Sequence, residues 1–267
     1  MSTSTTPVIS DEMAADLRKK AGRFRILVIG RANAGKTTIL QKVCNTTDQP
    51  EIFDKEGNKV WISCLALVNP TGERGIHDIN DELIFQSSPG FVFHDSQGFE
   101  AGAVDELNLV KVFIESRLKE RELDQQLHVI WFCLPVDNAR PISRAEEEFF
   151  NNCGTGKVPV ILIFTKFDGY IIRCFSNLLN QGADIAQAEA EAVKNAENGF
   201  AKLEKSLSKY KYPPKKTLHL GDMHKTEATC YDLIKQTSAA LDNDVLTQIF
   251  ILTQQVTARL STRHALM

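Results

Sequence analysis

The chain has 267 residues, 43% apolar and 24% charged, proportions that exclude collagen-like, mucin-like and fully disordered chains and suit one large α/β domain or two small ones. Lysine and arginine total 31 against 34 aspartates and glutamates, a formal net charge of −3. That balance argues against a large nucleic-acid footprint and against bulk attraction to anionic membranes.

Residues 1–10 are rich in Ser and Thr and are expected to be disordered. Residues 11–20, with Asp11 as N-cap, read as a short polar helix. Phe24–Ile29 is an apolar strand that runs into G-R-A-N-A-G-K-T-T, after which Thr38–Cys44 reads as a helix. The alternation F-D-K-E-G-N-K-V-W predicts a small hairpin turning at Glu56-Gly57-Asn58. Trp61–Val68 is apolar and is stopped by Asn69-Pro70-Thr71-Gly72. Ile76–Phe85 and Gly90–His94 read as a strand pair joined at Ser88-Pro89. Val104–Lys119 has helical spacing, and Leu127–Leu134 is a fully apolar strand in which Trp131 and Cys133 belong to the core. Ser143–Phe150 is a helix opened by a Ser-Arg-Ala-Glu capping box. Val158–Phe164 is another buried strand. Residues 170–210 are helical with a break at Gly182. Thr217–Leu220 is a short strand, and 226–262 forms one or two closing helices.

Strands alternating with helices call for an α/β sandwich around a mostly parallel sheet. The chain has no internal repeat, and nothing in 170–262 demands a second domain. No apolar run approaches the roughly 20 residues that span a bilayer, and neither a secretory signal nor a lipidation motif is visible. The six cysteines lack metal-ligand spacing and read as reduced, small hydrophobes, so a cytoplasmic protein is expected. The charge runs Lys119–Glu122 and Glu146-Glu147-Glu148 read as solvated helix faces, and His94 as a core residue.

Gly30-Arg31-Ala32-Asn33-Ala34-Gly35-Lys36-Thr37 matches G-x-x-x-x-G-K-S/T between a strand and a helix. Glycines let the backbone wrap a polyphosphate, so the amides from Gly30 through Asn33, Ala34 and Gly35 to Thr38 can point inward. The helix start adds its positive dipole end. Lys36 is expected to reach the β- and γ-phosphates, and Thr37 to give Mg²⁺ a hydroxyl ligand.

Asp95-Ser96-Gln97-Gly98 ends the strand F-V-F-H-D, which places the Asp95 carboxylate to face the same Mg²⁺ and leaves the Gly98 N–H to approach a γ-phosphate. Thr165-Lys166-Phe167-Asp168 follows the strand V-I-L-I-F. A carboxylate at Asp168 can accept two parallel hydrogen bonds from guanine N1–H and N2–H₂, a donor pair adenine lacks, and the Lys166 stem can lie over the base. The loop Gly221-Asp222-Met223-His224 can offer a backbone N–H, assigned to Met223, to guanine O6. Phosphate, magnesium and base sites thus fall in order at the carboxyl ends of strands, where open α/β sheets bind ligands.

From Phe24 to about residue 250 the chain resembles P-loop GTPases of the translation-factor-like class. The combination of R-G-I-H-D-I, H-D-S-Q-G-F-E-A-G, L-H-V-I-W-F-C-L-P and V-I-L-I-F-T-K-F-D is similar to fungal G domain-containing proteins, distant relatives of septins and of the immunity-associated GTPases. The resemblance implies a three-layer sandwich on a P-loop GTPase-type sheet, with residues 1–22 a polar N-terminal segment, 23–262 a single G domain and 263–267 a tail. It implies GTP and GDP as ligands with Mg²⁺ as cofactor. Thr165 departs from the commoner Asn at the first place of the base motif. Thr71 is the expected switch threonine and Mg²⁺ ligand, because it precedes the strand that pairs with the magnesium strand; Thr46 and Thr47 lie too near the first helix.

In Ras-like proteins a Gln after the D-x-x-G glycine orients the attacking water. Here that place is Phe99, and Gln97 lies on the wrong side of Gly98. Slow intrinsic turnover is therefore expected, with Lys36, Thr71 and Gly98 the catalytic set and Arg74 supplying charge in cis or across a homodimer at the nucleotide face; His77 flanks the same segment. Partners are otherwise an unidentified effector or activating protein, with no nucleic acid. The rival readings are a GTP-holding scaffold whose assembly needs nucleotide but little hydrolysis, and a P-loop kinase, against which T-K-F-D argues.

Overall fold

A computed structural model describes residues 22–60, 78–96, 98, 104–137 and 142–265, without the side chains of Val104 and 259–265. The disordered and helical N-terminal expectations, Trp61–Val68, Thr71, Arg74, His77, Gln97 and Phe99 lie outside the described residues.

Strand β1 (Phe24–Gly30) is followed by helix α1 (Lys36–Val43), the short strands β2 (Glu51–Phe53), β3 (Lys59–Val60) and β4 (Glu82–Ile84), and β5 (Phe91–Asp95). Next come α2 (Val104–Leu118), β6 (Val129–Pro135), α3 (Arg144–Asn152), β7 (Val160–Thr165), α4 (Phe167–Asn180) and α5 (Ile185–Leu207). Strand β8 (Lys216–His219) precedes α6 (Tyr231–Ala240) and α7 (Asp244–Ala265).

The strands form one sheet in the order β3-β2-β4-β5-β1-β6-β7-β8. From β5 to β8 all pairs are parallel, while β2, β3 and β4 pair antiparallel. Parallel strands are covered on both faces and so read as unbroken apolar runs; β1, β6 and β7 are buried at every position. One face packs Ile26, Val28 and Trp131 against Ile39 and Leu40 of α1, Leu233 of α6 and Phe250 of α7. The other packs Leu27, Ile29 and Phe132 against Phe113 of α2 and Phe149 of α3. Alternate residues of each strand serve opposite faces, which makes three layers. Trp131, His94 and Cys133 are fully buried, and the Trp131 indole donates to Thr237 Oγ1 at 3.1 Å.

The hairpin closes where expected: Asp54 N–H donates to Asn58 C=O at 3.0 Å, and Gly57 adopts φ +81°. Gly182, at φ +95°, separates α4 from α5. Of the strand expected over 76–85, the described part, 78–85, forms strand only from Glu82 to Ile84. Asp78 Oδ1 accepts from the Asn80 N–H at 3.0 Å, a side-chain turn that delays pairing until Glu82. Helix α4 starts at Phe167, inside the base motif, rather than at 170.

Strand β1 lies between β5 and β6, and the chain crosses to opposite sides of it. That makes the carboxyl end of β1 the switch point at which a crevice opens. Register pairs Val28 with Asp95, Gly30 with Cys133, and Pro135 with Thr165, so all three predicted motifs emerge along this one edge.

Candidate functional site

Gly30 ends β1 with φ +145°, and a Cβ there would sit 2.0 Å from the Cys133 carbonyl oxygen. The approach of β6 therefore demands glycine at this position. Asn33 at φ 58° and Gly35 at φ +82° then curl the chain into α1. No atom lies within 4 Å of where a Gly35 Cβ would be, so backbone angle rather than crowding calls for glycine. Gly35 caps α1 without any side-chain hydrogen bond, and the first turn carries no acidic residue. The amides of that turn are thus left for an anion. Lys36 is buried; its Nζ donates to the carbonyls of Gly30 at 3.4 Å and Arg31 at 3.2 Å, and lies 4.0 Å from Asp95 Oδ1. Thr37, next in the helix, is exposed.

Asp95 closes β5. Burial pushes its carboxyl up to about 6, against the opposing pull of Lys36. Asp95 Oδ1 and Ser96 Oγ are buried without a hydrogen-bond partner. Gly98 has φ +94°, and a Cβ on it would lie 2.7 Å from Ala32 N. Its backbone is thus seated against the phosphate loop. A hard cation takes oxygen ligands. An orphaned carboxylate oxygen beside Lys36, with the Thr37 hydroxyl next in the helix, fits the oxygen donors of Mg²⁺; Thr71, the third expected ligand, lies outside the described residues.

At the base end, Thr165 terminates β7 with its Oγ1 buried and unpartnered. Lys166 adopts φ 56° and starts α4, so Asp168 falls in the first turn of that helix. Asp168 Oδ1 accepts the Asp222 N–H at 2.9 Å, which ties the carboxylate to the loop after β8. The Phe167 ring stacks on His219 at 3.8 Å between centroids, and its N–H donates to Leu220 C=O at 3.1 Å. These contacts fix the angle at which α4 leaves the sheet.

A cleft of about 330 Å³ joins the two ends. Ala34, Gly35 and Thr38 line it from the phosphate side, and Thr165, Lys166, Asp168 and Met223 from the other. Gly30, Lys36, Thr37, Asp95 and Gly98 do not line this cleft. Gly30 faces β6, and Lys36 lies within the loop beside Asp95.

Sequence reasoning missed two residues. Asp137 lines the cleft and its Oδ2 holds Lys166 Nζ at 3.1 Å; its signal was a carboxylate two residues past the end of a buried strand, as Asp168 is three residues past the next one. Glu146 corrects the expectation of a solvated Glu146-Glu147-Glu148 face. It is 1% exposed, and its carboxylate takes a two-pronged bond from Arg31 of the phosphate loop, Nε to Oε1 at 2.8 Å and Nη2 to Oε2 at 2.9 Å. Burial alone would raise its carboxyl; the bonds from Arg31 and Ser143 outweigh that and hold it below the usual range. Glu147 and Glu148 are exposed as expected.

No protein-family model matches the sequence, and no curated protein matches it. Among solved structures the chain is similar to a GTP-binding protein from the archaeon Sulfolobus solfataricus in complex with GDP, with TM-score 0.38 and 11% identity over 90% of this chain. It spans 57% of that protein's length. It is also similar to a septin GTPase domain from Chlamydomonas reinhardtii, with TM-score 0.39 and 17% identity over 84% of this chain and 71% of that one. A third is the G domain of the T. maritima FeoB iron transporter, with TM-score 0.38 and 12% identity over 80% of this chain and 96% of that one.

Proposed function

We propose that the cleft binds GTP and GDP with Mg²⁺ and that the chain is a slow GTP hydrolase acting as a nucleotide-dependent switch. The observation that carries this reading is that one cleft unites Ala34, Gly35 and Thr38 with Thr165, Lys166 and Asp168, two motifs far apart in sequence whose chemistries suit the two ends of one nucleotide. Its volume falls within the roughly 300–1,000 Å³ of small-molecule sites.

The loop amides and the start of α1 receive the polyphosphate, and the Lys36 ammonium exchanges the carbonyls of Gly30 and Arg31 for phosphate oxygens. Bound Mg²⁺, held by Thr37 and Asp95 with Thr71 as the proposed third ligand, supplies charge neutralisation at the β- and γ-phosphates. The Gly98 N–H is the proposed donor to the γ-phosphate, and Asp168 accepts from the guanine edge. Phe99 cannot orient a water. Turnover is accordingly proposed to be slow, since even with the glutamine the intrinsic rate is only on the order of 10⁻⁴ s⁻¹ and a supplied arginine adds roughly 10³–10⁵-fold. Arg74, in this chain or a second copy, is the proposed source.

Titrating labelled GDP, GTP and ATP with Mg²⁺ while following molecular mass tests the reading. Preference for GDP and GTP over ATP supports it. Equal affinity for both purines, or none, removes it. Single-turnover hydrolysis near 1 s⁻¹ by a dilute monomer would remove the need for a supplied arginine.

A further inference from the structure

The connection from β6 to α3 touches the nucleotide site at both of its ends. At its start, Asp137 pairs with Lys166 of the base motif at 3.1 Å, and its Cβ packs 3.0 Å from where a Gly169 Cβ would lie. At its far end, in the first turn of α3, Glu146 holds Arg31 of the phosphate loop. We infer that these two carboxylates are positioning residues for opposite halves of one ligand: Glu146 for the polyphosphate, Asp137 for the base. The inference rests on the proposed nucleotide reading.

A lone buried carboxylate beside a phosphate loop would repel an anion. Glu146 is not alone. Both its oxygens are engaged by one guanidinium, and it also accepts the Ser143 N–H at 2.6 Å and the Ser143 hydroxyl. A two-pronged bond fixes the guanidinium plane as well as its distance. Arg31 is thereby tethered to α3. The Arg31 carbonyl accepts Lys36 Nζ, and the peptide linking Arg31 to Ala32 is the surface on which Gly98 rests. One side chain from α3 thus sets the peptide against which Lys36 and Gly98, both proposed phosphate-facing groups, are aligned. The pair also cancels the carboxylate's charge locally, so the Lys36 ammonium and the loop amides keep their attraction for phosphate.

The base end is built differently. Lys166 and Asp137 are both more than a third exposed, so solvent screens the pair and it guides the lysine stem rather than clamping it. Among the described residues the pair makes no hydrogen bond to a proposed phosphate-facing group. The two ends should therefore separate when the ligand is shortened.

The test is an affinity ladder of guanosine, GMP, GDP and GTP against the full chain, with Mg²⁺ and with thermal unfolding followed in parallel. Glu146→Gln keeps the side-chain volume and an acceptor for Ser143. It is expected to leave guanosine within about twofold and to weaken GDP and GTP by about tenfold or more, the range of coupling between contacting charged groups. Asp137→Asn is expected to weaken all four ligands by one common factor of a few-fold. Should Glu146→Gln fail to fold, Arg31→Lys retains the charge without the fork and should give the same phosphate-dependent loss. In the Arg31→Lys, Glu146→Gln double variant the loss should not exceed that of the more damaging single change. An equal loss for all four ligands in the Glu146 or Arg31 variants would mean general destabilisation, and an unchanged ladder would mean no positioning role; either overturns the inference while leaving the nucleotide reading intact. A wild-type chain that binds nothing on the ladder ends both.

Discussion

Asp168→Asn distinguishes purine reading from a generic strand-end turn, and the structure dictates how the variant should behave. Asp168 Oδ1 already accepts the Asp222 N–H at 2.9 Å. An amide in its place can satisfy that donor only with its oxygen, so the Asn nitrogen must take the other carboxylate position. A pair of acceptors becomes an acceptor occupied by the protein and a donor left for the ligand. Guanine presents N1–H and N2–H₂ there, so donor meets donor. Hydrogen bonds to a charged group contribute about 1.5–3 kcal/mol each. The oxygen beside Asp222 is kept and the other acceptor is lost, which costs about 1.5–3 kcal/mol, or about 10–10²-fold in GTP affinity. Xanthine carries O2 where guanine carries its amino group, and the new donor suits it. Competition of XTP against labelled GTP, wild type beside variant, is the assay. The expected outcome is loss of GTP and gain of XTP at comparable unfolding temperature. Unchanged GTP affinity would take Asp168 out of base recognition. Loss of both nucleotides together would mean that the loop after β8, not the base contact, had been damaged.

Lys36→Ala removes the ammonium now resting on the Gly30 and Arg31 carbonyls. GTP and GDP binding should fall about 10²-fold or more with guanosine binding retained, as equilibrium titration would show; retained GTP affinity would contradict the phosphate role. Gly30→Ala drives a methyl to 2.0 Å from a central-strand carbonyl at φ +145°. Strain and overpacking together should cost about 2–5 kcal/mol, read as a lower urea midpoint, whereas a midpoint equal to wild type would mean the β1–β6 contact is looser than described. His128 is buried, and that burial, aided by nearby Arg25, lowers its pKa from 6.5 to about 4 against the pull of its bond to Leu123. The unfolded chain then binds the extra proton as pH falls below 6.5, so folding should lose about 3 kcal/mol between there and pH 4. His128→Asn keeps an acceptor for the Arg25 N–H and should flatten that part of the stability profile; an unaltered slope would show that His128 titrates normally.

The parts of this fold legible in the sequence were those set by local pattern. Strands β1, β6 and β7 announce themselves because two-sided burial permits no polar alternation, and Gly57 and Gly182 mark turns because their backbone angles exclude most side chains. The phosphate and base motifs were legible because each sits directly on the end of such a strand. Within 78–85 the strand is confined to Glu82–Ile84, because Asp78 and Asn80 form a side-chain turn that apolar content alone does not reveal. Glu146 was misread for a geometric reason. Successive helical residues point about 100° apart, so three consecutive glutamates cannot share one face; Glu147 and Glu148 meet water and Glu146 meets Arg31. Nothing near Glu146 in sequence names a partner 115 positions away.

Buried polar atoms at the two ends of the sheet are treated in opposite ways, and this supports the proposed site independently of any motif. At the amino end of β1, Arg25 is 3% exposed. Its guanidinium donates to Glu82 at 2.7 Å, to the Asp124 carbonyl at 3.1 and 3.0 Å, and to His94 Nε2 at 2.7 Å, while its N–H donates to His128 Nδ1 at 2.8 Å. These bonds fix both tautomers: His94 gives its Nδ1–H to the Ile79 carbonyl and His128 its Nε2–H to that of Leu123. At the carboxyl end, Asp95 Oδ1, Ser96 Oγ and Thr165 Oγ1 are buried without hydrogen-bond partners; the other two such atoms among the described residues lie on α4 and α7. Each unsatisfied buried group costs about 1–3 kcal/mol. His94 and Asp95 are neighbours on one strand, so the same segment that closes a complete network at one side leaves an incomplete one at the other. A chain able to satisfy five donors around a single arginine is not short of ways to satisfy three oxygens. Their incompleteness agrees with the proposed ligand, which would bring its own donors and cation to this edge of the sheet.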